Sequence, residues 1–308
     1  MWSIPTRTRQ QTYPFDRIDG QRPEMVDEDV DRVLSDLITA FHILHQHQVV
    51  DEHGEISVRH PHDPTTFFTS NVPAILVAAK SDLSQWHVAD GSPVEDSYDG
   101  CLRMERADQD MELHAHSSIY AMYPGVQSVI HSHCLSAIVW NSMLQPSYLM
   151  AGFLGTSPPI FDIARFYDYL PRSHPRNLLI SNQFLGDALA EMLRKPHDDE
   201  MRLLDGPTDL PEQKVVFQRG HGYTTWAESI QDVVWRAIHV RRDADIQTAA
   251  MGQRESTDLE VVYLSEREAR DCERTINRSE KKHWLAWTAE ASRSGQYHND
   301  LKDRLGAS

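Results

Sequence analysis

The chain has 308 residues, with 30 Lys and Arg against 46 Asp and Glu, for a formal net charge of −16. That length supports a sizeable core in one large domain or two small ones. The negative surface disfavours nucleic-acid backbones and anionic membranes as partners, and no nucleic-acid or membrane binding is expected.

Three cysteines, Cys101, Cys134 and Cys272, are too few and too scattered for a disulfide framework or a zinc-type pairing. A reducing, cytoplasmic setting is therefore expected. The opening MWSIPTRTRQQTYPF lacks the apolar core of a signal peptide. The longest apolar run, VPAILVAA at 72–79, is too short to cross a bilayer.

Residues 1–24 are polar and read as an irregular arm. From Val26 onward, Val30, Val33, Leu34, Leu37, Ile38, Phe41 and Leu44 recur at helical spacing. DEHG (51–54) reads as a turn, EISVRH after it as a strand, and FFTS (67–70) and AILVAA (74–79) as two more. Residues 87–101 are polar and read as a loop or hairpin. MELHAHSSIYAMYP (111–124) predicts a helix closing near Pro124, and SVIHSH (128–133) a buried strand. CLSAIVWNSML reads as helix and PPIFDI (158–163) as strand or loop. SNQFLGDALAEMLRK (181–195) reads as a helix capped by Ser181 or Asn182. The charged 196–212 reads as a surface loop, KVVFQ (214–218) as a strand running into RGHG, and about 227–250 as a long helix. Alternating strands and helices give an α/β class. A single domain at 25–252 is expected between the arm at 1–24 and a charged, partly helical C-terminal extension at 253–308.

Strand side chains alternate between faces, so His131 and His133 project from the same one. Neutral imidazole is the commonest metal ligand near neutral pH, and a catalytic zinc takes three protein ligands with a fourth position open. His221, bracketed by Gly220 and Gly222 after a buried strand, is the candidate third donor. The pairs His45/His47, His60/His62 and His114/His116 share the two-residue spacing among 17 histidines, so spacing alone leaves chance pairing open. Glu112, His116 and Tyr120 recur at four-residue steps on one helix face. Glu112 reads either as a proton-transfer group beside the metal or as a solvated acid at a helix start.

Together VVDEHGEISVR (49–59), MELHAHSSIYAMYPGVQSVIHSH (111–133), NQFLGDALAEML (182–193) and VVFQRGHGYTTWAESIQDVVWRA (215–237) resemble the class II aldolase/adducin family over roughly residues 28–250. The resemblance implies a central β-sheet with helices on both faces and a homotetramer. It places the metal ligands on His131, His133 and His221 and the catalytic acid/base on Glu112. It implies a lyase that works through an enediolate held on a divalent metal, by retro-aldol C–C cleavage or decarboxylation. Zn²⁺ is the expected ion, with Fe²⁺ or Mn²⁺ also compatible with three imidazoles.

Where sugar-phosphate members of that family hold phosphate, this chain has Gly54-Glu55, Thr69-Ser70 and Asp110-Met111. Carboxylates at Glu55 and Asp110 repel a phosphate dianion at short range, so a small, non-phosphorylated hydroxy-carbonyl substrate is expected. Two alternatives stay open: a non-haem Fe(II) oxygenase or oxidative decarboxylase of aromatic or secondary metabolism, and a non-catalytic adducin-like interaction module. His116 reads as orienting Glu112 or a ligand, or as helix packing. Arg59 reads as meeting a substrate carboxylate, or as a surface or intersubunit ion pair. Tyr120 reads as core, and YLMAGFLG (148–155) as core or as the lining of an apolar pocket.

Overall fold

The computed structural model describes residues 23–70, 72–94, 112–141, 152–194, 209–257, 259–276 and 280–305. Cys101, Asp110, residues 1–22 of the expected arm, most of the 196–212 loop and YLMA (148–151) lie outside them. The stripe from Val30 to Leu44 folds as α1 (Pro23–Gln46). After the DEHG turn come β1 (Glu55–Arg59), β2 (Thr66–Ser70) and β3 (Leu83–His87). Then follow α2 (Leu113–Met122), β4 (Ser128–Ser132), α3 (Leu135–Asn141), β5 (Ile160–Phe161) and α4 (Gln183–Glu191). Strands β6 (Val215–Gln218) and β7 (Gly222–Ala227) lead into α5 (Ile230–Ser256). The chain closes with α6 (Glu266–Ile276), α7 (Glu280–Arg293) and α8 (Asp300–Leu305).

The strands form one sheet in the order β3-β2-β1-β4-β7-β6-β5, antiparallel except for the parallel β5–β6 pair. Alternation along each strand gives the sheet two apolar faces. On one, Ile56, Val58, Ile130 and Phe217 pack with Phe41 of α1 and Val234 of α5. On the other, Phe67, Val129, Val216 and Trp226 pack with Ile119 of α2 and Leu189 of α4. The helices thus cover both faces, as the α/β reading requires. Among the described residues no helix is long and apolar enough to cross a membrane.

The structure corrects one local reading and adds two strands. AILVAA is not a strand: Ala74–Leu76 makes a single 3₁₀ turn, with Leu76 N–H donating to the Pro73 carbonyl at 2.8 Å. Pro73 brings a fixed φ and no N–H, which suits a turn better than a ladder. A strand, β3, occupies LSQWH just before the polar stretch expected as loop or hairpin. GYTTWA forms β7, its β-branched and aromatic residues fitting a buried sheet position. The following helix begins only where the Ser229 hydroxyl accepts the Asp232 N–H at 3.1 Å.

The stretch expected as a C-terminal extension packs on α1 and α5. Trp287, Ala291 and Leu301 join their apolar core. Tyr297 stacks on His42 with ring centres 4.8 Å apart, and its hydroxyl lies 2.9 Å from His45 Nδ1.

Candidate metal centre

Strand β4 carries His131 inside the sheet and delivers His133 just past its end. The β6–β7 turn carries His221, and that turn depends on glycine. Gly220 sits at φ 67° and Gly222 at φ 143°. A Cβ on Gly222 would collide with the Ser132 carbonyl, so the absent side chain lets β7 lie against β4. The three imidazoles consequently converge. His133 Nε2 lies 3.0 Å from Nε2 of His131 and 3.0 Å from Nε2 of His221. One donor atom from each histidine falls within 4.8 Å of the other two. Ring-nitrogen lone pairs at 3.0 Å repel unless a proton or cation lies between them, and three such nitrogens form a donor set suited to a divalent metal.

Glu112 stands at the head of α2 and faces this cluster. Its Oε2 is 3.9 Å from His131 Nε2 and its Oε1 is 3.8 Å from His221 Nε2. The Ile180 N–H donates to Oε1 at 3.1 Å, while Oε2 is buried without a hydrogen-bond partner. That orphaned oxygen, aimed at converging nitrogens, fits a site built around a cation. Burial pushes the Glu112 carboxyl up to about 7, against the Ile180 hydrogen bond. Burial, reinforced by neighbouring imidazoles, lowers His131 well below its ordinary value. Burial likewise brings His221 down to about 4, with His133 adding to the shift and the Leu178 backbone opposing it. Both rings therefore stay neutral and able to coordinate at physiological pH. His131 is fully buried, whereas His133 and His221 are partly exposed, so solvent reaches the centre past those two.

The loop before α4 does much of the placing. Leu178 holds the left-handed φ of 67°, rare for a residue with a side chain, and its N–H donates to the Tyr167 hydroxyl at 3.0 Å. Two residues on, Ile180 grips Glu112. Asn182 then caps α4 by accepting the Leu185 N–H at 3.0 Å.

Of the other expected site residues, Glu55 stands directly opposite His131 in the β1–β4 register, so both side chains leave the same face. Its Oε1 accepts from the Thr69 hydroxyl at 3.1 Å. His116 lies buried with Nδ1 2.7 Å from Ser57 Oγ, and the Tyr120 hydroxyl meets the same Oγ at 2.8 Å, tying α2 to β1. Burial takes His116 down to about 3.

Arg59 does not reach the centre. It is buried, with Nε donating to the Val126 carbonyl at 2.9 Å, Nη1 to Pro64 at 2.6 Å and Nη2 to Tyr120 at 2.9 Å. The reading of Arg59 as a substrate or ion-pair group gives way to one in which it clamps the turn between α2 and β4. Two residues escaped notice in the sequence. Asp51 has Oδ1 3.5 Å from His133 Nδ1, and this contact, first among several, holds its carboxyl well below the usual range. Gln218 lies beside His131. A polar residue at an inward position of the otherwise apolar VVFQ was the available signal.

A family model described as the class II aldolase and adducin N-terminal domain matches residues 35–248. The decarboxylase tropJ of Talaromyces stipitatus is 35% identical over 272 residues, covering 85% of this chain and 95% of that protein. Among solved structures, the L-fuculose 1-phosphate aldolase from Glaciozyma antarctica PI12 superposes with a TM-score of 0.62 at 14% identity, over 91% of this chain and 97% of that one. An aldolase II superfamily protein from Pseudomonas syringae gives a TM-score of 0.60 at 19% identity, over 87% and 94%.

Proposed function

Because the chain belongs to the class II aldolase and adducin family, we propose that it is a divalent-metal-dependent lyase that decarboxylates a small, non-phosphorylated hydroxy-carbonyl acid. The histidine cluster and the similarities together support metal-dependent lyase activity in general. Decarboxylation is favoured over retro-aldol cleavage by the 35% likeness to a protein named as a decarboxylase.

The observation that carries the reading is the buried Glu112 carboxyl, raised to about 7 and held 3.8–3.9 Å from two imidazole nitrogens of the cluster. His131, His133 and His221 would hold the ion, with Zn²⁺ expected; when bound it supplies Lewis-acid polarisation of a substrate carbonyl. In decarboxylation the bond to the carboxylate breaks, CO₂ leaves, and the electron pair passes to carbon and on to the adjacent carbonyl oxygen. Glu112, whose burial favours its protonated form, would deliver a proton to that carbon and regain one from solvent. The sheet and α2 shield the group from bulk water and hold its proton affinity up. Glu55, on the same face as His131, disfavours a phosphate dianion nearby.

The test is CO₂ release by zinc-loaded protein from a panel of hydroxy-keto acids, run beside fuculose- and ribulose-type phosphates. Release from the acids that disappears on chelation supports the proposal. Ordinary efficiency on the sugar phosphates, with the acids untouched, contradicts it.

A further inference from the structure

Gln218 ends β6 on the sheet face that carries His131, and it is buried to 2% exposure. Its cross-strand neighbour is Gly222, which has no side chain to crowd it. The carboxamide therefore lies 3.0 Å from His131 Nδ1 and 2.8 Å from Thr224 Oγ1, while Thr224 Oγ1 is itself 3.1 Å from the same Nδ1.

A carboxamide can present either end to the ring. With Nε2 toward the ring, the amide donates to Nδ1. The single proton of neutral His131 must then sit on Nε2, pointing at His133 Nε2 3.0 Å away. The same arrangement leaves Gln218 Oε1 buried with no partner. Turned end for end, Oε1 accepts the Nδ1 proton, the Thr224 hydroxyl can donate to that oxygen, and the His131 Nε2 lone pair is free. One rotation removes a proton from the centre of the cluster and lets the His131 N–H and the Thr224 hydroxyl both donate to the carboxamide oxygen, while the amide –NH₂ takes the buried place that Oε1 held.

We propose that Gln218 is a positioning residue for the metal centre: its carboxamide oxygen takes the Nδ1 proton of His131 and fixes the ring in the coordinating tautomer. The proposal rests on His131, His133 and His221 being the metal ligands. It gives His131 a neutral acceptor, where His133 has the Asp51 carboxylate, so the two rings are tuned as donors of different strength.

The experiment measures Zn²⁺ and Co²⁺ affinity by competition with a chromophoric chelator, for the full chain and for Gln218→Leu and Gln218→Glu. Leucine removes the acceptor at similar volume and is expected to weaken binding on the order of 10–100-fold. Glutamate supplies a stronger acceptor and is expected to match or exceed the parent. A role confined to packing predicts the reverse order, with leucine harmless and the buried carboxylate damaging. Gln218→Leu binding within twofold of the parent overturns the proposal. If that variant does not fold, Gln218→Glu decides: affinity equal or tighter supports it, and a tenfold loss overturns it. A parent chain that binds neither ion would refute the metal reading itself, and this inference with it, which separates that failure from one confined to Gln218.

Discussion

Replacing Glu112 with glutamine removes the titrating proton while keeping the shape and the acceptor oxygen for Ile180 N–H. Two effects are expected. Turnover falls about 10²–10⁴-fold, the usual contribution of positioned proton transfer, with metal content unchanged. The second effect is on stability in metal-free protein. The carboxyl is raised from its ordinary 4.5 to about 7 by burial. Folded protein therefore holds the proton more tightly than unfolded protein between those values. The stabilisation is full below pH 4.5 and is lost as pH rises through about 7. At about 1.4 kcal/mol per pH unit the loss amounts to about 3 kcal/mol. The neutral glutamine lacks this dependence. Urea unfolding of chelator-treated parent and variant from pH 5 to 8.5, plotted as a difference, should show the variant gaining relative stability up to pH 7 and levelling off above it. His131 and His221, which face Glu112, are held neutral by burial across this range. A flat difference curve, or unchanged turnover in the variant, would remove Glu112 from the role assigned to it.

Other expectations follow from single contacts. Gly222→Ala places a Cβ against the Ser132 carbonyl at a φ that side chains rarely adopt. It should cost several kcal/mol or prevent folding, read by thermal melting and soluble yield. Arg59→Leu leaves the Val126, Pro64 and Tyr120 carbonyls without their donor. It should destabilise by about 2–4 kcal/mol in urea titration, with per-folded-molecule turnover preserved. Trp287→Ala opens a cavity between α7 and α5 and should cost about 3–5 kcal/mol; the change in urea midpoint checks it.

The main elements were legible because their apolar periods are clean: α1, β4 and α4 declare themselves by spacing alone. The metal centre was half legible. His131 and His133 share a strand face by pleat geometry, but the sequence pattern of residue types does not say that β7 pairs with β4 and brings His221 beside them. That adjacency is a sheet-order fact, made sterically feasible by Gly222. Glu112 was visible as an acid ahead of the strand, whereas its raised pKa depends on burial under the 178–182 loop and so required the fold. Arg59 misled because a cation ending a strand normally faces water; here it turns inward and donates to the Val126, Pro64 and Tyr120 carbonyls. AILVAA misled because apolar content is common to a strand and to a 3₁₀ turn that sends only some of its residues, Ala74 and Val77, into the core.

The central claim is that His131, His133 and His221 form one divalent-metal site under Glu112. Calorimetric titration of Zn²⁺ into chelator-stripped protein tests it most directly, with His133→Ala and His221→Ala alongside. The account predicts one tightly bound ion per chain for the parent and a loss of at least tenfold in affinity for each variant. No binding by the folded parent, or undiminished binding by both variants, would contradict it.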